Sequence, residues 1–186
     1  MVDLPNESEM VARARTGDEL AWETLVRQHQ EPVFRLAYLL LGDPDDAKDI
    51  AQEAFIRTYQ HLDQFDETRP LRPWLMRIAS NLARNRKRSL SRYWRNLERA
   101  GRQRPPEGAA LDPSDVEELW QAVRRLKHDD QQVIYLRYFL EVSEGEMAST
   151  LEIARGTVKS RLHRALGRLR ELIETEYPDL RAELYV

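Results

Sequence analysis

Apolar residues recur every three to four positions along most of this chain, a spacing typical of amphipathic helices. No stretch of any length alternates apolar and polar residues as a half-buried strand would, and no internal repeat is visible. The pattern therefore predicts an all-α protein. The first long apolar run covers residues 19–41 and contains Pro32. Because proline suits the first turn of a helix, we expect a second helix to begin at Pro32.

The following helix is expected to start after Gly42-Asp43-Pro44, with Asp45 or Asp46 as its cap, and to run to about Leu62. Its apolar residues share one face. The opposite face carries carboxylates, amides and one apolar side chain: Asp49, Gln52, Glu53, Ile56 and Gln60. One interpretation is a solvated helix with a single exposed isoleucine, which is common. The other is a protein-docking face, on which acidic and amide groups provide register and specificity.

A further helix opens at Arg72-Pro73, and its buried stripe includes Trp74. The far end of this helix is basic, with Arg84, Arg86, Lys87 and Arg88. Asn81 lies where the apolar stripe gives way to the basic run, so we expect it to be exposed near whatever that run binds. Tyr93 and Trp94 follow, either to stack on unpaired bases or to pack against the first domain.

Residues 96–113 are rich in glycine and proline and have few apolar anchors, which predicts a flexible linker. The linker would separate two small helical domains, residues 1–95 and 114–186. In the second domain we expect a helix starting near Asp112–Ser114 and another from about Asp129. Ser143-Glu144-Gly145-Glu146 has the pattern of a capping box and starts a third, short helix.

The last helix begins near Arg155 after a tight turn at residues 152–154, and no acidic residue occurs between Arg155 and Arg170. Helical spacing places Val158, Leu162, Ala165, Leu166 and Leu169 on its packed side, and Thr157, Ser160, His163 and Arg164 on its outward side. Lys159 and Arg161 flank the outward side, and Arg168 and Arg170 extend it. Two helices joined by a tight turn, the second with short polar groups between cations, predict a helix-turn-helix that binds the DNA major groove. The alternative is an ordinary helical hairpin with a solvated, arginine-rich face.

Charge is unevenly distributed along the 186 residues, although 29 Lys and Arg against 32 Asp and Glu give a net charge of only -3. The stretch from Asp43 to Glu67 is mainly acidic, and the stretch from Arg77 to Arg104 is mainly basic. Local charge decides which surface attracts phosphate, so we expect at least two kinds of partner.

Several classes of function are disfavoured by composition. The chain has no cysteine, which excludes disulfides, thiolate metal sites and a cysteine nucleophile. No apolar run approaches the roughly 20 residues of a membrane helix, and we expect a cytoplasmic protein without direct membrane insertion. The pair His128-Asp129 is the only one that suggests a metal site, and the four histidines have no ligand spacing. We predict no metal, no cofactor, no catalytic residue and no enzymatic activity.

Two blocks of sequence closely resemble the extracytoplasmic-function (ECF) group of bacterial RNA polymerase sigma factors, which belong to the sigma-70 family. In the first domain these are Gly42-Asp43, Ala47, Asp49-Ile50-Ala51-Gln52-Glu53-Ala54-Phe55 and the stretch from Trp74 to Asn81. In the second they are Glu146-Met147-Ala148 and Gly156-Thr157-Val158-Lys159-Ser160-Arg161-Leu162-His163-Arg164-Ala165. The resemblance covers nearly the whole chain.

The resemblance implies a sigma region 2-like helical bundle at residues 1–95 and a sigma region 4-like helix-turn-helix domain at residues 114–186. It implies binding to core RNA polymerase, to the beta-prime clamp helices through Asp49, Gln52, Glu53 and Ile56 and to the beta flap. The minus-10 promoter element would be melted and read by Trp74, Asn81, Arg84, Arg86, Lys87 and Arg88. The minus-35 element would be read by Arg155, Thr157, Lys159, Ser160, Arg161, His163 and Arg164. Within that set, Ser160, His163 and Arg164 are expected nearest base edges, and Lys159 and Arg161 on phosphates. An anti-sigma factor is a further expected partner.

Two residues depart from the family pattern. Glu152 stands where the family usually has glycine in the turn, and a non-glycine residue at positive φ is strained. Either the turn is reshaped or the chain tolerates a modest cost. Gly145 lies inside the supporting helix, where glycine costs about 1 kcal/mol relative to alanine. The rival to the sigma interpretation is a stand-alone helix-turn-helix regulator whose N-terminal domain senses a ligand.

Overall fold

The computed structural model describes residues 6–99 and 115–177, with only the backbone described at residues 93–99 and 115–117. Every regular element in these ranges is helical, which confirms the all-α prediction. The α-helices are α1 (Glu7–Arg15), α2 (Glu19–Leu41), α3 (Pro44–Gln60), α4 (Leu71–Arg99), α5 (Asp115–Arg125), α6 (His128–Ile134), α7 (Glu144–Leu151) and α8 (Arg155–Glu176). A 3-10 turn covers Leu62–Gln64, and a π-helical segment covers Tyr135–Phe139.

The chain divides into two compact units, whose main segments are Met1–Arg86 and Lys87–Ala148 with Glu152–Val186. The first contains α1 to α3 and α4 as far as Arg86, and the second contains α5, α6, most of α7, and α8. Most of the predicted linker at 96–113 lies outside the described residues, so the proposed domain limits at 95 and 114 stay predictions. None of the helices at 6–99 and 115–177 is both long and apolar enough to cross a membrane.

The first unit packs four helices around a core that includes Leu25, Leu36, Leu71 and Leu75, each at most 1% exposed. Its first helix, α1, was not predicted. The sequence signal for it is present: Asn6 accepts a hydrogen bond from the Ser8 amide at 3.3 Å, and Met10, Val11 and Ala14 are buried on one face.

A half-buried carboxylate joins three helices of this unit. Glu7 Oε2 lies 2.9 Å from His29 Nε2, and since a carboxylate can only accept, the imidazole donates. The other oxygen, Oε1, accepts the Leu71 amide at 2.8 Å and so satisfies one of the free amides at the start of α4. The hydrogen bond from His29 lowers the pKa of Glu7.

The predicted helix start at Pro32 is wrong. A single helix, α2, runs from Glu19 to Leu41 with Pro32 inside it. A proline in a helix interior removes one backbone hydrogen bond and costs about 3 kcal/mol. Leu25 and His29 before it, and Val33 and Leu36 after it, are buried. Burying an aliphatic side chain gains about 1.5–3 kcal/mol, so the packing of one continuous apolar face outweighs the cost of the proline.

The expected cap of α3 is also corrected. Asp43, not Asp45 or Asp46, is the N-cap residue, and its Oδ1 accepts the Asp45 and Asp46 amides at 3.0 and 2.8 Å. Pro44 then occupies the first helical turn, where its missing N–H is not needed. The predicted buried face of α3 is confirmed from Ala47 to Thr58.

The second unit is held together by α6 and α8. Asp130, only 4% exposed, accepts hydrogen bonds from Arg168 Nη1 at 2.8 Å on both of its oxygens. The buried Gln131 amide donates to Leu126 O at 2.9 Å and also to Arg124 O, which satisfies the end of α5. Trp120, Tyr135 and Phe139 form an aromatic cluster with ring centroids 4.8–5.8 Å apart. The π-helical turn that places Tyr135 and Phe139 together was not predicted.

Candidate polymerase- and DNA-binding surfaces

The predicted docking face of α3 is exposed. Asp49, Gln52 and Ile56 all lie on the solvent side of the helix, and Ile56 is 43% exposed. Glu53 is partly covered, and it accepts a hydrogen bond from Arg57 Nε at 2.7 Å one helical turn away. The face therefore offers one ion-paired carboxylate, one open carboxylate, an amide and an apolar side chain.

A groove of about 880 Å³ lies between α2 and α3 next to this face. It shares Gln52 and Ile56 with the docking face, and aromatic rings line much of the rest: Trp22, Phe34, Phe55 and Tyr59. The Trp22 ring centroid lies 5.1 Å from that of Tyr59 and 6.2 Å from that of Phe55. Sequence reasoning missed the α2 side of the groove, because Trp22 and Phe34 look like core residues in a helical pattern, whereas both are only partly buried.

The predicted minus-10 residues lie along α4, but their surroundings differ. Asn81, Lys87 and Arg88 are exposed and Arg84 is partly buried. The partly buried ring of Trp74 is stacked on Phe65 with centroids 4.9 Å apart. One face of the indole is therefore occupied by the protein. The side chains of Tyr93 and Trp94 lie outside the described residues.

Arg86 is held by the protein itself. Its Nε donates to Asp46 Oδ1 at 2.9 Å, and its Nη2 donates to the same oxygen. The hydrogen bond that Arg86 donates to the Asp46 carboxylate raises the pKa of Arg86, and the nearby charges of Asp49 and Asp43 add to the effect. The pair joins the first turn of α3 to the basic part of α4.

The helix-turn-helix formed by α7 and α8 agrees with the predicted pattern at its start and turn. Ser143 and Glu146 form the capping box: the Ser143 amide donates to Glu146 Oε2 at 3.1 Å, and Ser143 Oγ accepts the Glu146 amide at 3.3 Å. Glu152 ends α7 at φ 54° and ψ 41°, in the left-handed region. Of the two possibilities that the sequence left open for this non-glycine residue, a reshaped turn or a tolerated left-handed conformation, the structure shows the second.

The outward side of α8 is open. Arg155, Thr157, Lys159, Ser160, His163 and Arg164 are exposed, and Arg161 is partly buried. Ser160 Oγ donates to Thr157 O at 3.1 Å, which leaves its lone pairs to accept from another group. Arg164 Nε donates to Ser160 O at 3.1 Å, so the base of its guanidinium lies along the helix. Lys159 Nζ lies 3.7 Å from Glu144 Oε2 of α7.

Two predictions for α8 need correction. Arg168 does not extend the outward cationic side, because it is bound to the buried carboxylate of Asp130. Leu166 was expected on the packed side but is 36% exposed. The predicted packed side is otherwise confirmed at Val158 and Ala165, which are fully buried, and at Leu169, which is 9% exposed.

Comparison with known proteins gives a family for both units. The family model for sigma-70 region 2 matches residues 25–93, and that for sigma-70 region 4 matches residues 116–169. The ECF RNA polymerase sigma factor SigW of Bacillus subtilis is 33% identical over 174 residues, covering 87% of this chain and 93% of SigW. The chain belongs to the ECF sigma factors of the sigma-70 family. The RNA polymerase sigma-E factor of Streptomyces coelicolor is likewise 33% identical, over 89% of this sigma factor and 93% of its own length.

Solved structures agree on the fold of this sigma factor. CnrH, solved in complex with the cytosolic domain of CnrY, superposes with a TM-score of 0.70 at 25% identity and covers 92% of this chain and 99% of CnrH. The sigma factor RpoE of Bartonella quintana, solved with the anti-sigma factor NepR, has a TM-score of 0.66 at 24% identity over 83% of this chain and 97% of its own. A sigma factor directs transcription, so the stand-alone, ligand-sensing regulator is not favoured.

The residues considered as a metal site do not form one in the described part of this sigma factor. No group of three or more His, Cys, Asp or Glu side chains there is arranged to hold a metal ion. His128 is the first residue of α6, and the neighbouring Asp129 is exposed in the same turn. The two residues belong to the start of a helix.

Proposed function

We propose that this sigma factor binds core RNA polymerase through the exposed face of α3 and directs promoter-specific initiation through α4 and α8. The observation that carries the proposal is the α3 face. Its opposite side is buried in the core, whereas Asp49, Gln52 and Ile56 are open, and Gln52 and Ile56 line an apolar groove. An apolar anchor surrounded by polar groups is typical of protein interfaces. We propose Asp49, Gln52, Glu53 and Ile56 as the contacts of the beta-prime clamp helices.

The basic side of α4 is proposed to melt and read the minus-10 element. Asn81 would lie beside a flipped base, and Arg84, Arg86, Lys87 and Arg88 would hold phosphates of the non-template strand. Unstacking costs a few kcal/mol per base, which capture of the base by the protein offsets. Trp74 would touch DNA only with the part of its ring that Phe65 does not cover. Arg86 would have to exchange Asp46 for a phosphate.

The outward side of α8 is proposed to read the minus-35 element in the major groove. Ser160, His163 and Arg164 would lie nearest base edges, because they occupy the middle of the exposed side. Arg155, Thr157, Lys159 and Arg161 surround them and would hold phosphates. The second domain would also contact the beta flap.

The proposed setting follows from these partners. Catalysis would belong to the polymerase core, since sigma factors are known as non-catalytic initiation factors. The place of action would be the cytoplasm, where bacterial polymerase works. An anti-sigma factor is a further proposed partner, and the solved complex of the sigma factor RpoE with the anti-sigma factor NepR supports the proposal. The groove between α2 and α3 is a suitable surface for such a partner.

The test is binding of the full chain to bacterial core polymerase, followed by run-off transcription from genomic fragments. The variant D49A/Q52A/E53A should weaken binding at least tenfold, because central polar contacts of an interface each cost about 1 kcal/mol or more. A matched control is E19A/E23A/Q28A, which removes the same number of carboxylates and amides from α2. These three side chains are exposed and do not line the groove.

New start sites with the wild-type chain, lost with the α3 variant and kept with the control, would support the proposal. Equal binding by the wild type and the α3 variant would refute the docking face. Tight binding to duplex DNA without polymerase and no new start sites would refute the whole proposal.

A further inference from the structure

Gly145 in α7 lies beneath the guanidinium of Arg155. A Cβ built on Gly145 would lie 2.6 Å from Arg155 Nη2, closer than real Cβ contacts, and 3.2 Å from Arg155 Cζ, which is tighter than most. Gly145 has no φ in the left-handed region, so its backbone conformation does not require glycine. Only glycine leaves the space above this Cα open, and the Arg155 side chain occupies that space.

The same turn of α7 faces a second cation of α8. Glu144 Oε2 lies 3.7 Å from Lys159 Nζ. The other carboxylate in this turn, Glu146, is already used by the capping box. The first turn of α7 therefore borders the two most N-terminal cations of α8. The Glu144 carboxylate lies near Lys159, and the space left by the absent side chain of Gly145 holds Arg155.

The location matters for DNA binding. In a helix-turn-helix the N-terminal residues of the second helix approach base edges while the first helix crosses the phosphate backbone. Arg155 is the first residue of α8, and that helix has no acidic residue in its first turn. Because the Arg155 guanidinium packs against α7 at this point, it is held between the two helices that would face DNA, α7 and α8. A side chain held in one orientation loses less entropy on binding than a free one.

We propose that Gly145 is a positioning residue for Arg155, and that it sets the orientation from which Arg155 binds a phosphate of the minus-35 duplex. This inference rests on the proposed function. It also gives a reason for a glycine inside α7, where alanine would be the better helix former. Replacement by alanine should displace only the flexible end of Arg155 and leave the fold intact.

The experiment compares G145A, R155A and the double variant in two measurements. In thermal unfolding, G145A should raise Tm less than G167A does, because alanine at 145 must displace Arg155 and alanine at 167 meets no atom within 4 Å. In the R155A background, where no arginine side chain has to be displaced, G145A should raise Tm as much as G167A does. Equal gains in both backgrounds would overturn the contact.

The second measurement uses polymerase holoenzyme and a promoter fragment selected by the wild type, at several salt concentrations. G145A and R155A should each weaken binding about threefold to tenfold and reduce the salt slope by about one, as expected for one lost phosphate contact. The double variant should be no weaker than R155A alone. G167A, the matched glycine-to-alanine control in α8, should bind within twofold of the wild type.

The outcomes separate the two levels of the argument. The wild-type holoenzyme is expected to select the promoter fragment. If it does, and the binding losses of G145A and R155A are additive in the double variant or G145A shows no loss, the inference is overturned and the proposed function stands. A wild-type holoenzyme that selects no fragment would overturn the proposed function, and the inference with it.

Discussion

At the scale of single residues, the Tyr135 hydroxyl is an energetically unfavourable group. The side chain is fully buried in the aromatic cluster, and its oxygen has no hydrogen-bond partner among the described residues. Burial raises the pKa of Tyr135, because the phenolate would be still harder to bury than the phenol. An unpaired buried hydroxyl costs about 1–3 kcal/mol.

Tyr135→Phe should therefore raise the free energy of unfolding by about 1 kcal/mol, since the ring contacts remain and the unpaired oxygen is removed. Urea unfolding followed by circular dichroism would measure the change. The control is Tyr138→Phe, because Tyr138 is 56% exposed and its hydroxyl reaches water. A loss of stability in Tyr135→Phe alone would mean that the hydroxyl is bonded in solution.

Glu7 shows the opposite situation, a half-buried carboxylate with both oxygens used. Its pKa lies below its ordinary value of 4.5, mainly because His29 donates to it. A depressed folded pKa contributes stability that is present above the unfolded pKa and is lost as the pH falls through the folded pKa.

Glu7→Gln should lower the free energy of unfolding by about 1–2 kcal/mol at pH 7, because a charged hydrogen bond to His29 is lost. The difference from the wild type should begin to shrink as the pH falls through the ordinary value of 4.5, at which the unfolded chain takes up the proton, and should disappear once the pH has fallen through the lower pKa of the folded carboxyl. Thermal unfolding between pH 3 and 7 would measure it. Glu9→Gln, exposed on the same helix, provides the comparison, and a difference that stays constant with pH would contradict the role of the Glu7 charge.

At the scale of elements, two arginines that the sequence pattern places on DNA-facing surfaces form ion pairs between helices of the protein itself. Arg168 joins α8 to the buried Asp130 of α6, and Arg86 joins α4 to Asp46 of α3. The first pair has one almost fully buried partner, and the second lies at the surface. Their consequences for stability and binding should differ accordingly.

Arg168→Ala should lower the free energy of unfolding by about 2 kcal/mol, because it leaves the Asp130 carboxylate buried without its cation. The value is below that of a fully buried pair, since Arg168 itself is 46% exposed. Arg170→Ala removes an exposed cation from the same helix and should change stability by less than about 0.5 kcal/mol. Chemical denaturation of both variants would measure the two changes in the free energy of unfolding. Equal changes would mean that Arg168 lies at the surface in solution, without its contact to Asp130.

Asp46→Asn should release Arg86 for phosphate and strengthen holoenzyme binding to single-stranded non-template DNA about threefold at low salt. The salt slope should steepen by about 0.7, the value for one phosphate of a single strand. Stability should fall by less than about 1 kcal/mol, as expected for a surface pair. Asp45→Asn is the control, because Asp45 lies 3.7 Å from Lys48 and makes no contact with Arg86. Unchanged DNA binding in Asp46→Asn would show that Arg86 does not contact DNA.

At the scale of the whole molecule, a net charge of -3 conceals surfaces of opposite character. The exposed face of α3 carries acidic and amide groups, whereas the basic part of α4 and the outward side of α8 carry cations. A protein with this distribution can bind a protein partner and DNA through different elements. The salt dependence of each contact therefore follows the local charge of the element and not the charge of the chain.

The sequence alone predicted the helical class and the exposed faces of α3 and α8. These depend on periodicity inside one helix, so neighbours in sequence carry all the information. The capping box at Ser143 was predictable for the same reason, whereas the sequence left open whether the turn at Glu152 is reshaped or strained. Because the resemblance rests on two such local blocks, it identified the family before any tertiary contact was known.

Tertiary structure decided what depends on residues far apart in the chain. Arg86 and Asp46 are 40 positions apart, Arg168 and Asp130 are 38, and His29 and Glu7 are 22. The continuity of α2 through Pro32 and the groove between α2 and α3 likewise depend on how helices pack. Local propensity is worth at most about 3 kcal/mol at one residue, and the combined burial of several side chains exceeds it. Packing therefore determines which charges are paired within the protein and which remain available to polymerase and DNA.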